Sequence, residues 1–152
     1  MLAAHNIQRL VDVRTVPRSR HNPQFGSEQL AASLRTAGLG YTHMPGLGGL
    51  RRPRADSVNS GWRNTGFRGF ADYMETPAFE AYLAECIQLA EYERIVLMCA
   101  ESVPWRCHRS LIADALVVRG IEVSEISSSV RVRRHVLTPW ARVEGTHIVY
   151  AA

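Results

Sequence analysis

Lysine is absent from this sequence, and every one of its 18 basic residues is arginine. Arginine grips phosphate or carboxylate through a planar two-point fork, but a GC-rich genome favours its codons without any functional reason, and that plainer explanation carries more weight. Cysteine is scarce. Cys86, Cys99 and Cys107 are an odd set with no secretory signal before them, which argues for reduced thiols and against a disulfide framework. Long hydrophobic runs are missing as well: the longest wholly apolar stretch, Ile95 to Ala100, falls far short of the ~20 residues a membrane helix needs. Met1-Leu2-Ala3-Ala4-His5 lacks the charged start and apolar stretch of a signal peptide. A cytoplasmic protein without a membrane partner is expected.

What remains is the composition of a globular chain, with 152 residues of which 46% are hydrophobic and 21% charged. No repeat, low-complexity tract or linker divides it, so one domain over residues 1–152 is expected. A chain this long can bury roughly 68–70% of the surface its unfolded form exposes, so a disulfide or metal would serve function rather than stability. The net charge of +4 is unevenly spread: residues 1–44 carry +3, residues 45–69 carry +4 and residues 70–152 carry −3. A first half that faces one side of the fold would attract anions.

Leu10–Val13 reads as a short buried strand with Asp12 and Arg14 projecting to the same side. The basic loop Arg14–Arg20 follows. Ser27 is expected to cap a helix over Glu28–Ala37, with Leu30 and Leu34 inward and Gly38 as its stop. A strand over Leu39–Met44 comes next. Residues 45–69 hold six glycines and five arginines without any period, and long irregular loops in compact domains are usually functional or mobile. A short helical piece near Phe70–Glu75 leads to Thr76-Pro77, a cap followed by proline at the first helical position. Phe79, Leu83, Cys86, Ile87 and Ala90 then recur at helical spacing, which makes Cys86 a packing residue. Ile95–Cys99 reads as a central parallel strand, residues 107–119 as a helix stopped by Gly120, Ile121–Ile126 as another strand, and Thr146–Tyr150 as a short edge strand. The alternation points to an α/β fold, a single three-layer domain with a mainly parallel central sheet, whose ligands bind beyond the carboxyl ends of the strands.

The densest chemistry lies in Cys99–Arg109, between a buried strand and a helix. A helix N-terminus favours anions and lowers the pKa of a thiol placed there. Cys107, beside Arg106, His108 and Arg109, is therefore a candidate thiolate nucleophile with His108 or Glu101 as proton carrier. Against this, cysteine is among the most buried residue types, and neighbouring helical residues point about 100° apart. Cysteine phosphatases and rhodanese-type sulfurtransferases also put a cysteine after a strand, but six residues rather than five separate Cys99 from Arg106, and Pro104 interrupts the loop. Cys99, Cys107 and His108 are acceptable metal ligands, with His43 or Glu101 as a fourth, although seven intervening residues are unlike zinc-finger spacing. Asp12 and Arg14 form either a buried structural pair or a pair that orients Arg14 toward a ligand. Arg51, Arg52, Arg54, Arg63 and Arg68 alternate with Trp62, Phe67 and Phe70, a pattern that suits nucleic acid and also suits a solvated loop. His21, His135 and His147 stand singly and carry no signal.

Val11-Asp12-Val13-Arg14 with Pro17 and Ser19, Gly48-Gly49, Gly66–Met74, Cys99-Ala100-Glu101 and Cys107-His108-Arg109 occur in an order that resembles the bacterial domain-of-unknown-function 488 (DUF488) family, through to Leu137-Thr138-Pro139. Members typically begin with a strand ending in a Thr-Ile-Gly-His-Ser-like motif and a helix, and this chain starts near where that helix would end. Either the true start lies upstream of Met1 or a strand and part of the site are missing, in which case an altered sheet edge, a homodimer or poor solubility is expected. The resemblance places Asp12, Arg14, Ser19, Arg68, Tyr73, Cys99, Glu101, Cys107, His108 and Arg109 in one shared polar cluster and names no cofactor. The leading expectation is an anionic ligand, nucleotide or nucleic acid, held by Asp12, Arg14, Ser19, Arg68, Tyr73 and Arg109, with Cys107, His108 and Glu101 as chemical groups. The alternatives are a non-catalytic nucleic-acid module built on residues 45–69 and a metalloprotein using Cys99, Cys107 and His108.

Overall fold

Within a strand, consecutive apolar residues such as Leu10 and Val11 are both buried only when the strand is covered on its two faces. The computed structural model describes residues 2–15, 26–99 and 107–151, and it puts β1 (Arg9–Asp12) in the middle of a three-stranded parallel sheet between β2 (Gly40–His43) and β3 (Ile95–Met98). Leu10 packs with Leu30 and Leu34 of α1 (Ser27–Thr36). Val11 and Val13 belong to the larger core with Phe70, Phe79, Leu83, Leu111 and Ile112. Those residues come from α2 (Thr65–Tyr73), α3 (Pro77–Tyr92) and α4 (Arg109–Val117). The chain is thus a mixed helix-and-strand fold with four α-helices and a small parallel sheet among the described residues. None of these helices is long and apolar enough to cross a membrane.

Local chemistry sets the helix ends. Thr76 Oγ1 accepts from the Phe79 amide at 3.3 Å, with Pro77 as the first helical residue. Gly38 (φ +81°) follows α1, with Gly38 N–H on Arg35 O and Leu39 N–H on Leu34 O, the paired bonds of a glycine-closed helix. Gly120 (φ +79°) does the same after α4. Two expectations are corrected. Gly26, not Ser27, occupies the cap position of α1, with no side-chain cap bond. The helical piece near Phe70–Glu75 is α2, which begins at Thr65 because Asn64 Oδ1 accepts from the Phe67 amide at 3.1 Å.

The expected strand at 121–126 shrinks to β4 (Ser124–Ile126) and stays outside the parallel sheet, pairing antiparallel with β5 (Val132–Arg134). A neighbouring segment reaches it through a short turn, whereas joining the parallel sheet requires a crossover. The closing strand is β7 (His147–Val149), paired with β6 (Arg142–Glu144). Cys86 is buried in α3 as expected, and burial pushes its thiol up to about 11.

Two buried carboxylates tie these parts together. Asp72 accepts from the Arg54 amide, Ser57 Oγ and Asn59 Nδ2, and Asn59 Oδ1 in turn accepts from the Tyr150 amide. Asp114, with no exposed surface, accepts from His135 Nε2 (2.8 Å), Thr138 N and Oγ1, and Tyr150 Oη (2.7 Å). His135 is therefore a buried partner of Asp114 and Glu125, contrary to the reading that it carries no signal.

Removing one side of a buried charged network leaves the other uncompensated, so Asp114→Ala is expected to cost about 3–5 kcal/mol in urea unfolding. The hydrogen bond from His135 to Asp114 outweighs burial, and with Glu125 it holds the imidazole above its ordinary value. Arg133 also faces Glu125, while Tyr150 and Thr138 face Asp114. A raised folded-state value means that the stabilisation is complete below the ordinary imidazole range and is lost as pH rises through that value. The urea midpoint should fall as pH rises above the ordinary imidazole range, and fall less in His135→Gln. A midpoint that stays level in the parent protein contradicts this.

Candidate functional site

The parallel sheet brings three carboxyl ends level, with Asp12 beside His43 and Met98. Asp12 lies two residues after Leu10 and points to the same face, where it is fully buried. A carboxylate there requires donors, and four meet it: Arg14 Nε at 2.8 Å, Arg14 Nη2 at 2.6 Å, the Arg14 amide at 3.1 Å and Tyr41 Oη at 2.6 Å. Burial pushes the Asp12 carboxyl up, but the bonds from Arg14 and Tyr41 and the charge of Arg14 prevail and hold it below the usual carboxylate value. Tyr41, buried against that carboxylate, is pushed well above the usual phenol value.

Arg14 therefore folds back into the protein and is only 6% exposed. Its backbone carbonyl contacts His43 Nε2 at 2.8 Å. One residue earlier, Val13 O lies 3.2 Å from His108 Nε2, which also lies 3.0 Å from Leu47 O. Both carbonyls only accept, so Nε2 carries the hydrogen and donates, and Nδ1 of the neutral ring keeps its lone pair. Burial, helped by the Arg109 and Arg51 charges, lowers the His108 pKa despite the two carbonyl bonds. Phe70 meets the ring edge-on at 5.0 Å. On the other side the chain passes so close at Gly49 that an added Cβ would stand 2.7 Å from Nδ1.

The lone pair on Nδ1 faces Cys107 Sγ at 3.6 Å. His108 thus does touch the sulfur, although the two residues are adjacent in sequence. Cys107, 4% exposed just ahead of α4, also accepts from the Arg109 amide and Nε, each at 3.4 Å. Cys99 continues β3, and its sulfur lies directly against that of Cys107, with the two Cα atoms 7.7 Å apart. Cys99 Sγ, Cys107 Sγ and a His108 ring nitrogen all lie within 4.8 Å of one another, the one metal-ligating group of this kind among the described residues.

Tyr73 enters indirectly. Its hydroxyl donates to Gly46 O at 2.7 Å and its ring carries the Arg51 guanidinium 3.7 Å above its centre. Arg51 also donates to Gly48 O at 3.2 Å, which sets a second cation beside the His108 loop. Arg68 is not brought to this cluster: its guanidinium serves the carbonyls of Trp62 and Arg63. Ser19, Glu101, Arg106 and His21 lie outside the described residues. Much of the aromatic surface in and beside residues 45–69 is used internally, because Trp62 packs on Phe67, Trp140 and Tyr150 at 5.1–5.5 Å and the adjoining Phe70 is fully buried. Arg51 and Tyr41 are the functional neighbours that sequence reasoning passed over. Tyr41 could have been found by its spacing, two residues before His43 on one face of a strand. Gly48-Gly49, separated from Arg51 by Leu50 alone, was the signal for the other.

A family model described as Domain of unknown function DUF488 matches residues 1–116, short of Leu137-Thr138-Pro139. No curated protein and no solved structure matches the chain.

Gly49→Ala is expected to push the His108 imidazole away from the added Cβ, costing about 1–3 kcal/mol in urea unfolding by overpacking. Asp12→Asn, which leaves the Arg14 charge buried without its partner, should cost about 3–5 kcal/mol in the same measurement.

Proposed function

The chain belongs to the DUF488 family, and from its own geometry we propose that it binds a phosphate-bearing or otherwise anionic ligand, a nucleotide or nucleic acid, at the carboxyl ends of the strands of a three-layer α/β frame. Cys107 and His108 are the chemical groups of that site. One observation carries the reading: the Cys107 sulfur collects two N–H donors from Arg109 at the start of α4 while the bare Nδ1 of His108 faces it. Donors, a guanidinium and a helix N-terminus that stabilise a thiolate also stabilise a bound anion.

Arg109 and Arg51 supply the positive charge in this reading. Arg14 positions the end of β1 through Asp12, and Tyr73 positions Arg51. The site has more support than nucleic-acid binding by the 45–69 loop, because Arg68 is bound to the backbone carbonyls of Trp62 and Arg63 and Arg54 to Glu75 and Asp56.

Calorimetric titration with inorganic pyrophosphate tests it. Arg109→Ala and Arg51→Ala should each weaken binding about tenfold, the worth of one charge-assisted bond, and Arg68→Ala should leave it unchanged. Two unaltered affinities overturn the proposal. Binding that ignores both variants but collapses with salt and in Arg52→Ala and Arg63→Ala would transfer the function to the loop.

A further inference from the structure

We propose that Cys99 Sγ, Cys107 Sγ and His108 Nδ1 form a three-ligand site for a thiophilic divalent cation, zinc above all, whose fourth position receives the anionic ligand. The inference rests on the anion-binding reading for that fourth position alone; the three protein ligands stand without it.

Four observations converge. First, the ligand atoms lie within 4.8 Å of one another, and two thiolates with one imidazole are a donor set that suits zinc and soft transition metals. Second, the imidazole is prepared for ligation. Its Nε2–H is shared between Val13 O and Leu47 O, the backbone-carbonyl anchoring that fixes the tautomer of metal-bound histidines and leaves the opposite nitrogen bare. Gly49 on one side and Phe70 on the other hold the ring plane. Third, the two cysteines converge from separate rigid elements, the end of β3 and the start of α4. Their Cα separation of 7.7 Å is wider than the roughly 4.4–6.8 Å that a disulfide spans, so their shared partner is better sought in a third atom than in each other. Fourth, the Arg109 amide and Nε already donate to Cys107 Sγ, contacts that would draw charge from a metal-bound sulfur and leave it a ligand of moderate strength.

The charge balances. Binding of Zn²⁺ displaces the two thiol protons to solvent and uses the lone pair that Nδ1 already exposes, so the three-ligand centre is formally neutral. Zinc sites with three protein ligands keep a fourth position for water or substrate. An anion in that position would meet Arg109 and Arg51 as its remaining partners. No redox change is involved.

The full-length chain, purified under reducing conditions without chelator, should contain close to one zinc per chain by elemental analysis. Cys99→Ser, Cys107→Ser and His108→Ala should each lose it. Because such variants can unfold, the parent protein supplies an independent readout: exchange with cobalt(II) should give the visible bands of a tetrahedral ion together with thiolate-to-cobalt charge-transfer absorption. Absence of metal after both purification and reconstitution overturns the proposal. So does recovery of a Cys99–Cys107 disulfide by peptide mass mapping from reductant-free, alkylated protein. Pyrophosphate titration of zinc-loaded and chelated protein separates the two readings. Stoichiometric metal with no pyrophosphate binding keeps the metal site and removes the anion, whereas binding tightened by zinc supports both.

Discussion

A carboxylate with no access to water has to be met by donors, and in this chain that demand at Asp12 shapes the end of the sheet. Arg14 turns back to satisfy it, Tyr41 reaches across from the neighbouring strand, and the backbone between them is fixed. Two carbonyls on that fixed stretch then have defined positions. Val13 O receives His108 and Arg14 O receives His43. The orientation of His108, and through it the identity of the nitrogen that faces Cys107, is thus inherited from an ion pair on the other face of the strand. Breaking such a pair one-sidedly is more costly than its net worth in stability, which makes it a firm foundation for a site and a weak source of folding energy.

The same arrangement recurs at Asp72 and Asp114. Each is an acid on a core-facing helix position that gathers donors from a loop distant in sequence: residues 54–59 for Asp72 and residues 135–150 for Asp114. Irregular backbone has no ladder to satisfy its polar groups, so buried acceptors of this kind give the long 51–63 segment and the C-terminal hairpins defined places. The arginine-rich loop owes its order to these contacts and to its own carbonyls, and not to any regular period.

The features legible in the sequence were those that rest on local chemistry. Thr76-Pro77, Gly38 and Gly120 mark helix ends whose bonds span a few residues, and the apolar runs at Leu10 and Ile95 mark parallel strands. Only β1 is central and buried, however; β3, expected to be central from its apolar run, lies at the sheet edge and is half-buried. What stayed hidden depends on contacts between distant positions. His135 looks isolated until Asp114 and Glu125 are brought to it, and Arg51 looks like one basic residue among five until Tyr73 and Gly48 hold it near His108. The strand at 124–126 was legible as a strand, but its partner was not, since pairing with β5 or with the parallel sheet would leave the same pattern in those residues.

The Asp114 network reaches across the point where the family match ends. Cutting the polypeptide after residue 116 would delete His135, Thr138 and Tyr150 together, stranding an anionic oxygen pair in a hydrocarbon setting and uncovering the wall of the core that Ile148 and Tyr150 complete. The later residues are therefore a keystone rather than an appendix, and any fragment trimmed to the outline of the family would have to recruit water or a foreign chain to that wall.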